Sequence, residues 1–572
     1  MSKTLQASDL QYARAGETSD PMLRYQWAIR VALCAKLGFL VFFAFNTQFV
    51  MDEFWQFGQS KYLRNGFFNT IWPSKAVGYA VFYKPAHWLG WDAVSAIMIG
   101  RLQTALLACG TLALLYGIAR KLGQDRVRAL LVILLALSFS TFIERVFRTR
   151  SESLALFFAT AALYWIVSRD ISRAKTILIA GLFSGLAFIA TQKAVYFNLA
   201  LGLGLVVEVL LRLDPLTALR RGLMLVAGWV IPILVYSVAF GGWDSLTILT
   251  SLFQGPLRVA TSGHVYYTTL GMFYGQTIER NLLPYLLAAF GLLASLYRWR
   301  TLTSGHRVAL VFTLVMIVLI ARHNQPWPYV FIMVIPFLCL WAPATLDYAA
   351  RGKFQARLIH AVWIVAVLLS FARNITYIEH DNRAEIDLIR QVETLLGPNE
   401  KYFDGIGMLS NHAESQRRWL DTRQVHIANT EGEASDFMRK LRAVPPHLII
   451  DTYRTQKLRE LMKPFLKNSY VRVAPNIGVP GVRFSDVSEV TFETPLEQEF
   501  GLFDKSGQPV AVSLLVEDEP VQLPVLLKPG PNRVRLDGVV DWPVFLLPAH
   551  KPYSGLHPIP APEPIFVRVY DY

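Results

Sequence analysis

Two adjacent carboxylates, Asp52 and Glu53, follow the first long apolar run of the chain, in the stretch FNTQFVMDEFWQFGQ. On a helix that begins near Asp52, the side chains of Gln56 and Gln59 share one face with Asp52. A carboxylate in this position can accept a proton from a hydroxyl group. Acidic residues also favour the first turn of any helix, so a simple helix cap is the alternative interpretation.

A second set of polar residues lies near the ends of later apolar segments. It comprises Tyr83, Lys84, Arg101, Arg148, Arg150, Glu152, Lys193, Arg322 and His323. Several cations and a carboxylate form a layout in which the cations hold a phosphate and the carboxylate takes a proton. Lysine and arginine near helix ends also extend into lipid headgroups. Arg101 is more informative, because a charge within an apolar segment is costly and tends to be functional.

Long apolar segments must position these residues, since the chain of 572 residues is 53% hydrophobic and only 17% charged. A membrane-spanning helix needs about 20 apolar residues, and blocks of this kind predict about eleven spans. The spans lie near residues 28–47, 93–119, 127–143, 152–168, 175–191, 194–211, 222–240, 281–297, 308–321, 327–345 and 357–374. The chain is therefore predicted to be a mostly α-helical, polytopic membrane protein.

Basic residues in alternate loops predict the orientation, because cytoplasmic loops carry an excess of lysine and arginine. One set of loops holds Arg120, Lys121, Arg126 and Arg128, then Arg169, Arg173 and Lys175, then Arg212, Arg220 and Arg221, then Arg298, Arg300 and Arg307, and finally Arg351, Lys353 and Arg357. With an odd number of spans, residues 1–25 form a cytosolic tail, and Asp52 and the C-terminal part lie outside. The prediction is a multi-pass protein of the bacterial cytoplasmic (inner) membrane.

Charge and cysteine content narrow the function classes further. The net charge is +14, but the cytoplasmic loops account for much of it, and no nucleic-acid recognition motif is present. The three cysteines all fall in predicted spans, which gives neither a disulfide framework nor a metal cluster. The N-terminal tail does not have the pattern of a cleaved signal peptide.

Residues 379–572 have the composition of a soluble domain, predicted to be extracytoplasmic (periplasmic). EIDLIRQVETLLG and TQKLRELMKPFLKNSY have helical periodicity, and KYFDGIG and HLIIDT read as buried strands, so an α/β unit comes first. Alternating segments after about residue 480, such as PVAVSLLVED and NRVRLDGVV, predict a β-rich unit.

Two long outer loops, from about residue 46 to 92 and from about 241 to 280, are too aromatic for disorder. In the first, Phe54, Phe57 and Lys61 share a helix face, which predicts a helix lying flat on the membrane with aromatic rings in the interface. Both loops are therefore expected on the membrane surface.

Several motifs in this order resemble a known family. They are the DE pair after the first span, YKP before the second, RLQTAL at the start of the second, RTRSESL before the fourth, and RHNQPWPYVFIMVIPFLCL late in the chain. Over about residues 25 to 375 they resemble the GT-C integral-membrane glycosyltransferases. Within that group the chain is similar to bacterial transferases related to the aminoarabinose transferases of lipid A and to protein O-mannosyltransferases.

The resemblance implies a GT-C catalytic module at residues 26–378 that transfers a sugar from a polyprenyl-phosphate carrier, such as undecaprenyl phosphate, to an envelope acceptor. It implies that Asp52 is the base, with inversion at the sugar carbon, and that Glu53 is its neighbour or contacts acceptor or sugar. Tyr83 and Lys84 match the segment that lies near the carrier phosphate in the family. Membrane lipids are the other expected partners.

The sequence also departs from the family pattern. Relatives often have a second proline after KP, where this chain has Ala86 and His87. His264 lies in the presumed counterpart of a mobile second loop. A divalent metal is possible in this group, but no cluster has metal-ligand spacing, so no cofactor is predicted.

Two other classes of function remain open. A transporter or lipid flippase usually has polar residues at mid-depth and internal repeats. Here central segments such as LVILLALSFS carry no charge, which favours an enzyme at the membrane surface. An envelope assembly protein, such as one resembling an O-antigen ligase, is the other alternative, with Asp52 as a helix cap.

Overall fold

The computed structural model describes residues 25–63, 76–212, 215–261, 271–323, 326–349, 352–416, 420–538, 541–562 and 565–566. These residues form two compact units. The helical unit comprises the described residues of Met1–Thr47, Gly66–Phe82 and Arg101–His380. The mixed unit comprises those of Gln48–Asn65, Tyr83–Gly100 and Asp381–Tyr572. Two segments of the predicted first outer loop, including Asp52, thus group with the C-terminal part of the chain.

Within the described part of the chain, seven helices are long and apolar enough to span a membrane. They are Gln26–Asn46, Ala93–Lys121, Ser151–Ser168, Gln192–Leu211, Leu219–Gln254, Ser304–Ala321 and Lys353–Glu379. Two shorter apolar helices, Ala174–Ala190 and Leu282–Tyr297, match further predicted spans. The chain is a multi-pass, mostly helical membrane protein, as predicted.

Two of the predicted spans are short or broken helices instead. The segment near 127–143 forms Arg126–Ser138 and Ser140–Arg145, and both pieces are largely buried in protein. The segment near 327–345 is divided into Pro328–Phe331, Ile335–Cys339, the 3-10 turn Ala342–Thr345 and Leu346–Ala349. Prolines in the first turn of three of these pieces remove backbone donors and interrupt the helix. Their apolar character reflects burial in the protein core.

Close backbone contact holds together two helices of the helical unit, Ala174–Ala190 and Pro215–Gly241. A Cβ atom on Gly181 would lie 2.4 Å from the carbonyl oxygen of Leu225, and one on Gly228 would lie 2.1 Å from that of Leu178. Only glycine permits this approach.

The other assigned helices are parts of these spans, connect the elements or belong to the mixed unit. The α-helices are Met51–Phe57, Gln59–Tyr62, Tyr79–Leu89, Val195–Arg212, Ser245–Thr261, Met272–Arg280, Lys353–Thr376, Arg383–Leu395, Thr422–Glu431, Asp436–Ala443, Tyr453–Gln456 and Arg459–Ser469. The 3-10 helices are Gln192–Ala194, Gly242–Asp244, Trp299–Thr301, Tyr377–Glu379 and Gly432–Ala434.

The α/β part of the mixed unit contains a five-stranded sheet of order β2-β1-β3-β5-β4. Its strands are β1 (Lys401–Phe403), β2 (Ala413–Glu414), β3 (Leu448–Ile450), β4 (Tyr470–Ala474) and β5 (Ile477–Pro480). Strand β1 is parallel to both β2 and β3, with Tyr402 opposite Leu448, whereas β5 is antiparallel to β3 and β4. The loops after β1 and β3 therefore leave the same edge of the sheet.

Two antiparallel four-stranded sheets follow, with orders β10-β9-β12-β7 and β11-β8-β13-β6. The strands are β6 (Val482–Phe484), β7 (Glu489–Thr494), β8 (Gln498–Phe503), β9 (Ser513–Val516), β10 (Glu519–Val521), β11 (Val525–Leu527), β12 (Gly530–Asp537) and β13 (Val544–Pro548). Phe484 and Phe500 from one sheet and Phe492 and Val534 from the other share one buried core. Alternating side chains of both sheets thus form a β-sandwich.

Candidate active site

The helix that carries Asp52 runs from Met51 to Phe57 and begins with its own cap. Glu53 is fully buried, and its Oε1 accepts the backbone N–H of Val50 at 3.0 Å. Gln56 is also buried. Asp52 is half-buried and is the more accessible carboxylate of the pair. The capping role that position alone suggested for the acidic pair therefore belongs to Glu53.

The aromatic face of this helix packs inside the mixed unit. The rings of Phe54 and Phe49 are 5.3 Å apart, and that of Phe57 lies 6.0 Å from the ring of the buried Tyr83. The prediction that Phe54 and Phe57 lie in the lipid interface is therefore wrong, because protein side chains cover them. Lys84 is half-buried, with its Nζ 5.1 Å from the ring centroid of Trp88.

Polar contacts connect the same segment to the α/β part of the mixed unit. Lys61 Nζ lies 2.9 Å from Glu414 Oε1 and donates to the carbonyl oxygen of His412 at 2.7 Å. Tyr62 donates its hydroxyl proton to Glu414 Oε2 at 2.6 Å. Ahead of the helix, the backbone N–H of Phe49 donates to Glu385 Oε2 at 2.6 Å. These contacts fix the position of the Asp52 helix from both sides.

A charge cluster in the helical unit brings together three of the residues predicted from sequence. The buried carboxylate of Glu152 accepts from Arg150 Nε at 3.2 Å and from Arg150 Nη2 at 3.3 Å. Lys193 Nζ donates to Glu152 Oε1 at 2.6 Å. The lysine side chain keeps 29% of its surface exposed, whereas Arg150 and Glu152 are buried. Two cations thus bind one carboxylate, and cations held together in this way can bind a phosphate by charge-assisted hydrogen bonds.

Aromatic residues complete this cluster. The ring of Tyr329 lies 3.7 Å from the guanidinium carbon of Arg150 and 4.3 Å from Lys193 Nζ. The hydroxyl of Tyr196 and Nδ1 of His323 are 2.7 Å apart. Tyr196 and Tyr329 were missed from sequence. The Tyr in PWPYVF lies within a quoted motif, but a tyrosine in an aromatic run has no distinguishing local signal.

His323 is a neutral member of the site. Burial and the positive charge of Lys193 lower its pKa to about 4, although the charge of Glu152 opposes this. The unfolded chain therefore binds a proton more readily than the folded chain between pH 4 and 6.5. His323 stabilises the fold at neutral pH, and that contribution is lost as the pH falls through this range. At neutral pH the cationic residues of the cluster are Arg150 and Lys193.

Two other predicted cations bind backbone carbonyl oxygens. Arg101 is fully buried, and its Nη1 donates to the carbonyl oxygen of Thr47 at 2.8 Å. Arg148, also buried, donates from Nε to the carbonyl oxygen of Glu144 at 3.0 Å. The guanidinium carbons of the two arginines lie 5.7 Å and 5.4 Å from the ring of Phe147. Arg101 thus binds the carbonyl-rich end of the span, where a positive charge is favourable.

The remaining predicted site residues are Arg322 and His264. Arg322 is exposed after the end of Ser304–Ala321. His264 lies outside the described residues. Among the residues with described positions, no group of three or more His, Cys, Asp or Glu could hold a metal ion.

The fold is similar to that of solved membrane glycosyltransferases. ArnT from Cupriavidus metallidurans in the apo state matches with 15% identity over 79% of this chain and 97% of that chain, at a TM-score of 0.54. The same protein bound to undecaprenyl phosphate matches with 15% identity over 80% and 98%, at 0.56. The Archaeoglobus fulgidus oligosaccharyltransferase in the apo form matches with 11% identity over 84% and 74%, at 0.53. The chain therefore has the fold of the GT-C membrane glycosyltransferases.

Sequence comparisons cover only the C-terminal part of the chain. Residues 427–479 match a domain of unknown function, DUF7056, and residues 482–548 match another, DUF7055. The first match lies within the α/β part of the mixed unit, and the second coincides with the β-sandwich. No curated protein sequence matches the chain.

Replacement of the buried carboxylate tests the charge cluster as a structural unit. Glu152→Gln removes the buried carboxylate that binds Arg150 and Lys193, which is expected to lower the free energy of unfolding by about 3 kcal/mol. Chemical denaturation of the purified chain in micelles measures the change. The exposed pair Asp170–Arg173 provides the control, because solvent screens this pair and Asp170→Asn is expected to leave the free energy of unfolding nearly unchanged. Equal stability of both variants would contradict the role of the cluster.

The neutrality of His323 predicts a pH profile. His323→Gln retains a neutral hydrogen-bonding side chain, so it is expected to change the transfer rate by less than about threefold and to leave its pH dependence between 5.5 and 8 unaltered. Rates measured across this range for both proteins check the prediction. An ionisation near pH 6.5 that disappears in the variant would show that the imidazole titrates.

Proposed function

We propose that the chain is an inverting glycosyltransferase. It moves a sugar from a polyprenyl-phosphate-linked donor to the hydroxyl of a lipid, glycan or protein acceptor at the outer face of a bacterial inner membrane. The observation that carries the proposal is the Arg150–Glu152–Lys193 cluster, in which two cations bind one carboxylate, within a chain that has the GT-C fold. One structure of that fold is described as bound to undecaprenyl phosphate.

The charge balance of the reaction accounts for the cations. The donor is a phosphodiester with one negative charge. When the bond between the sugar carbon and the phosphate oxygen breaks, the carrier leaves as a phosphate monoester and the negative charge on its oxygens grows. Arg150 and Lys193 are proposed to stabilise this charge, since fixed cations in a site with little water act strongly on charge that develops in the transition state.

Asp52 is proposed as the general base. Its carboxylate accepts the proton of the acceptor hydroxyl as that oxygen forms the new bond to the sugar carbon, opposite the departing phosphate. A single displacement of this kind inverts the configuration at that carbon. Glu53 supports this role indirectly, because its buried carboxylate caps the helix that carries Asp52.

A direct assay tests the proposal. The purified chain in lipid nanodiscs is supplied with a panel of undecaprenyl-phosphate monosaccharides and with an envelope extract as the source of acceptor. With a labelled sugar on the donor, undecaprenyl phosphate is expected to be released only when the extract is present. The label is expected on a component of the extract. A transporter would move the lipid between leaflets without breaking the sugar–phosphate bond, and that outcome would refute the proposal.

A further inference from the structure

The loops after strands β1 and β3 form a polar edge of the five-stranded sheet. The loop after β1 begins at Asp404, and the one after β3 leads into Thr452 and Tyr453. Because β1 and β3 are parallel neighbours, these loops emerge side by side. The carboxyl edge of parallel strands is where ligands commonly bind in α/β sheets.

Hydrogen bonds of two buried side chains, Asp404 and Thr452, hold the loops of this edge in place. The buried carboxylate of Asp404 accepts the backbone N–H groups of Ile406 at 3.0 Å, Gly407 at 2.8 Å and Met408 at 2.8 Å. Thr452 Oγ1 donates to the carbonyl oxygen of Asp404 at 2.7 Å, which joins the two loops. These hydrogen bonds therefore hold in place the backbone that carries the side chains after Thr452.

Gly405 brings the first loop close to Arg454. Its φ is +69°, and an added Cβ would lie 3.1 Å from the Cβ of Arg454. A side chain at this position would combine an unfavourable backbone conformation with a tight contact. Arg454 is buried beside this turn, and its Nη1 donates to Thr422 Oγ1 at 3.3 Å.

Two cations lie next to one aromatic ring at this edge. The guanidinium carbon of Arg454 is 4.8 Å from the ring centroid of Tyr453, and Lys457 Nζ is 5.0 Å from it. Tyr453 is half-buried and Lys457 is exposed. The edge therefore presents positive charge beside an aromatic surface, with one cation open to solvent.

The negative charge of Asp52 acts on the same ring. The pKa of the Tyr453 phenol is raised, mainly by burial and further by the negative charge of Asp52, while Arg454 acts in the opposite direction. The contacts of Lys61 and Tyr62 with Glu414 independently bring the segment after Asp52 to the same sheet, because Glu414 lies in β2 beside β1. The proposed base and the two cations thus occupy one region of the mixed unit.

We propose that this edge is the acceptor site and that it selects an acceptor carrying a phosphate or carboxylate group close to the reacting hydroxyl. Lys457 and Arg454 bind the anionic group by charge-assisted hydrogen bonds, Tyr453 packs against the acceptor, and the hydroxyl is held toward Asp52. The inference rests on the proposed function, because it assigns Asp52 as the base. It adds the chemical class of acceptor and three residues that determine specificity.

Chemical labelling tests the anion site without requiring transfer. The full chain in nanodiscs is treated with an amine-acetylating reagent in the presence of glucose 6-phosphate, glucuronate or glucose, and modified lysines are quantified by mass spectrometry. The two anionic sugars are expected to protect Lys457 by about fivefold or more, whereas glucose gives no protection. Lys467, exposed on the helix Arg459–Ser469, is the internal control and should react equally in all samples. Equal reactivity of Lys457 with all three sugars would overturn the inference.

Transfer kinetics provide the second arm. The envelope extract is separated by anion exchange into neutral and anionic fractions, and each serves as acceptor. The label is expected in the anionic fraction, and Lys457→Gln is expected to raise the acceptor concentration for half-maximal transfer about tenfold while leaving the donor KM within about twofold. Lys467→Gln should behave as the unmodified chain does. Prior treatment of the fraction with phosphatase distinguishes a phosphate from a carboxylate.

The two arms separate failure of the inference from failure of the proposed function. Efficient transfer to the neutral fraction, unaffected by Lys457→Gln, would overturn the acceptor site and leave the glycosyltransferase proposal intact. If the chain releases the carrier from none of the donors in the panel, the proposed function is wrong. The protection of Lys457 from acetylation does not require transfer, so it tests the anion site separately.

Discussion

Asp52→Asn is expected to reduce the rate of sugar transfer by about 10²- to 10⁴-fold, which is the range that a positioned general base contributes. Asparagine has nearly the same size and keeps an oxygen in the first turn of the helix, but its amide cannot take the proton of the acceptor hydroxyl. The loss should appear in kcat, measured as acceptor-dependent release of undecaprenyl phosphate. Donor binding should change little, because the carrier phosphate is assigned to other residues.

Asp92→Asn is the matched control for this variant. Asp92 is also half-buried, and its Oδ1 accepts the backbone N–H of Ser95 at the start of the helix Ala93–Lys121. Asparagine can keep that capping bond, so a change within about twofold is expected. Full activity of Asp52→Asn under conditions where the control is active would defeat the assignment of Asp52 as the base.

Lys193→Gln is expected to lower kcat by about 10²-fold, as loss of one fixed group that stabilises developing negative charge does in other enzymes. The substitution removes the cation that is partly exposed, whereas the two contacts between Arg150 and Glu152, at 3.2 Å and 3.3 Å, can persist. The fold should therefore survive, and the defect should be one of chemistry. Single-turnover measurement with labelled donor checks it.

Lys175→Gln provides the comparison for the lysine. Lys175 is exposed in the first turn of the helix Ala174–Ala190, in a loop predicted to be cytoplasmic, and no role in transfer is expected for it. If the two lysine variants transfer sugar at the same rate, the positive charge of Lys193 does not act on the leaving group. A defect in Lys193→Gln that is confined to acceptor KM would also contradict the proposal.

Much of the fold could be predicted from local patterns. Long apolar runs such as those at Gln26–Asn46 and Ser304–Ala321 are membrane-length helices, because a bilayer accepts few other structures. The strands in KYF and HLII are present and largely buried, as predicted, and the helix Arg383–Leu395 is amphipathic. The same local signal did not indicate that 127–143 and 327–345 are divided into short, buried helices, because a run of apolar residues is compatible with both lipid contact and a protein core.

The site was predicted only in part for a related reason. Residue type and position relative to the spans indicated Arg150, Glu152 and Lys193, since charges beside apolar segments are costly unless they have partners. Nothing in the order of residues indicated which basic residues pair with Glu152 and which, like Arg101, bind backbone carbonyls. Lys193 is 41 residues from Glu152 in sequence, and helix packing brings them to 2.6 Å.

The amino-acid sequence by itself determined the class of molecule: a chain with many apolar helices, a soluble C-terminal part and an acidic pair after the first span. These properties follow from hydropathy and periodicity, which act over one helix or strand. The tertiary structure decided that Glu53 caps its helix while Asp52 stays accessible, that two cations contact the ring of Tyr329, and that the segment after Asp52 binds Glu414. Such pairings depend on contacts between segments far apart in the chain, and those contacts exist only after the helices and sheets have packed.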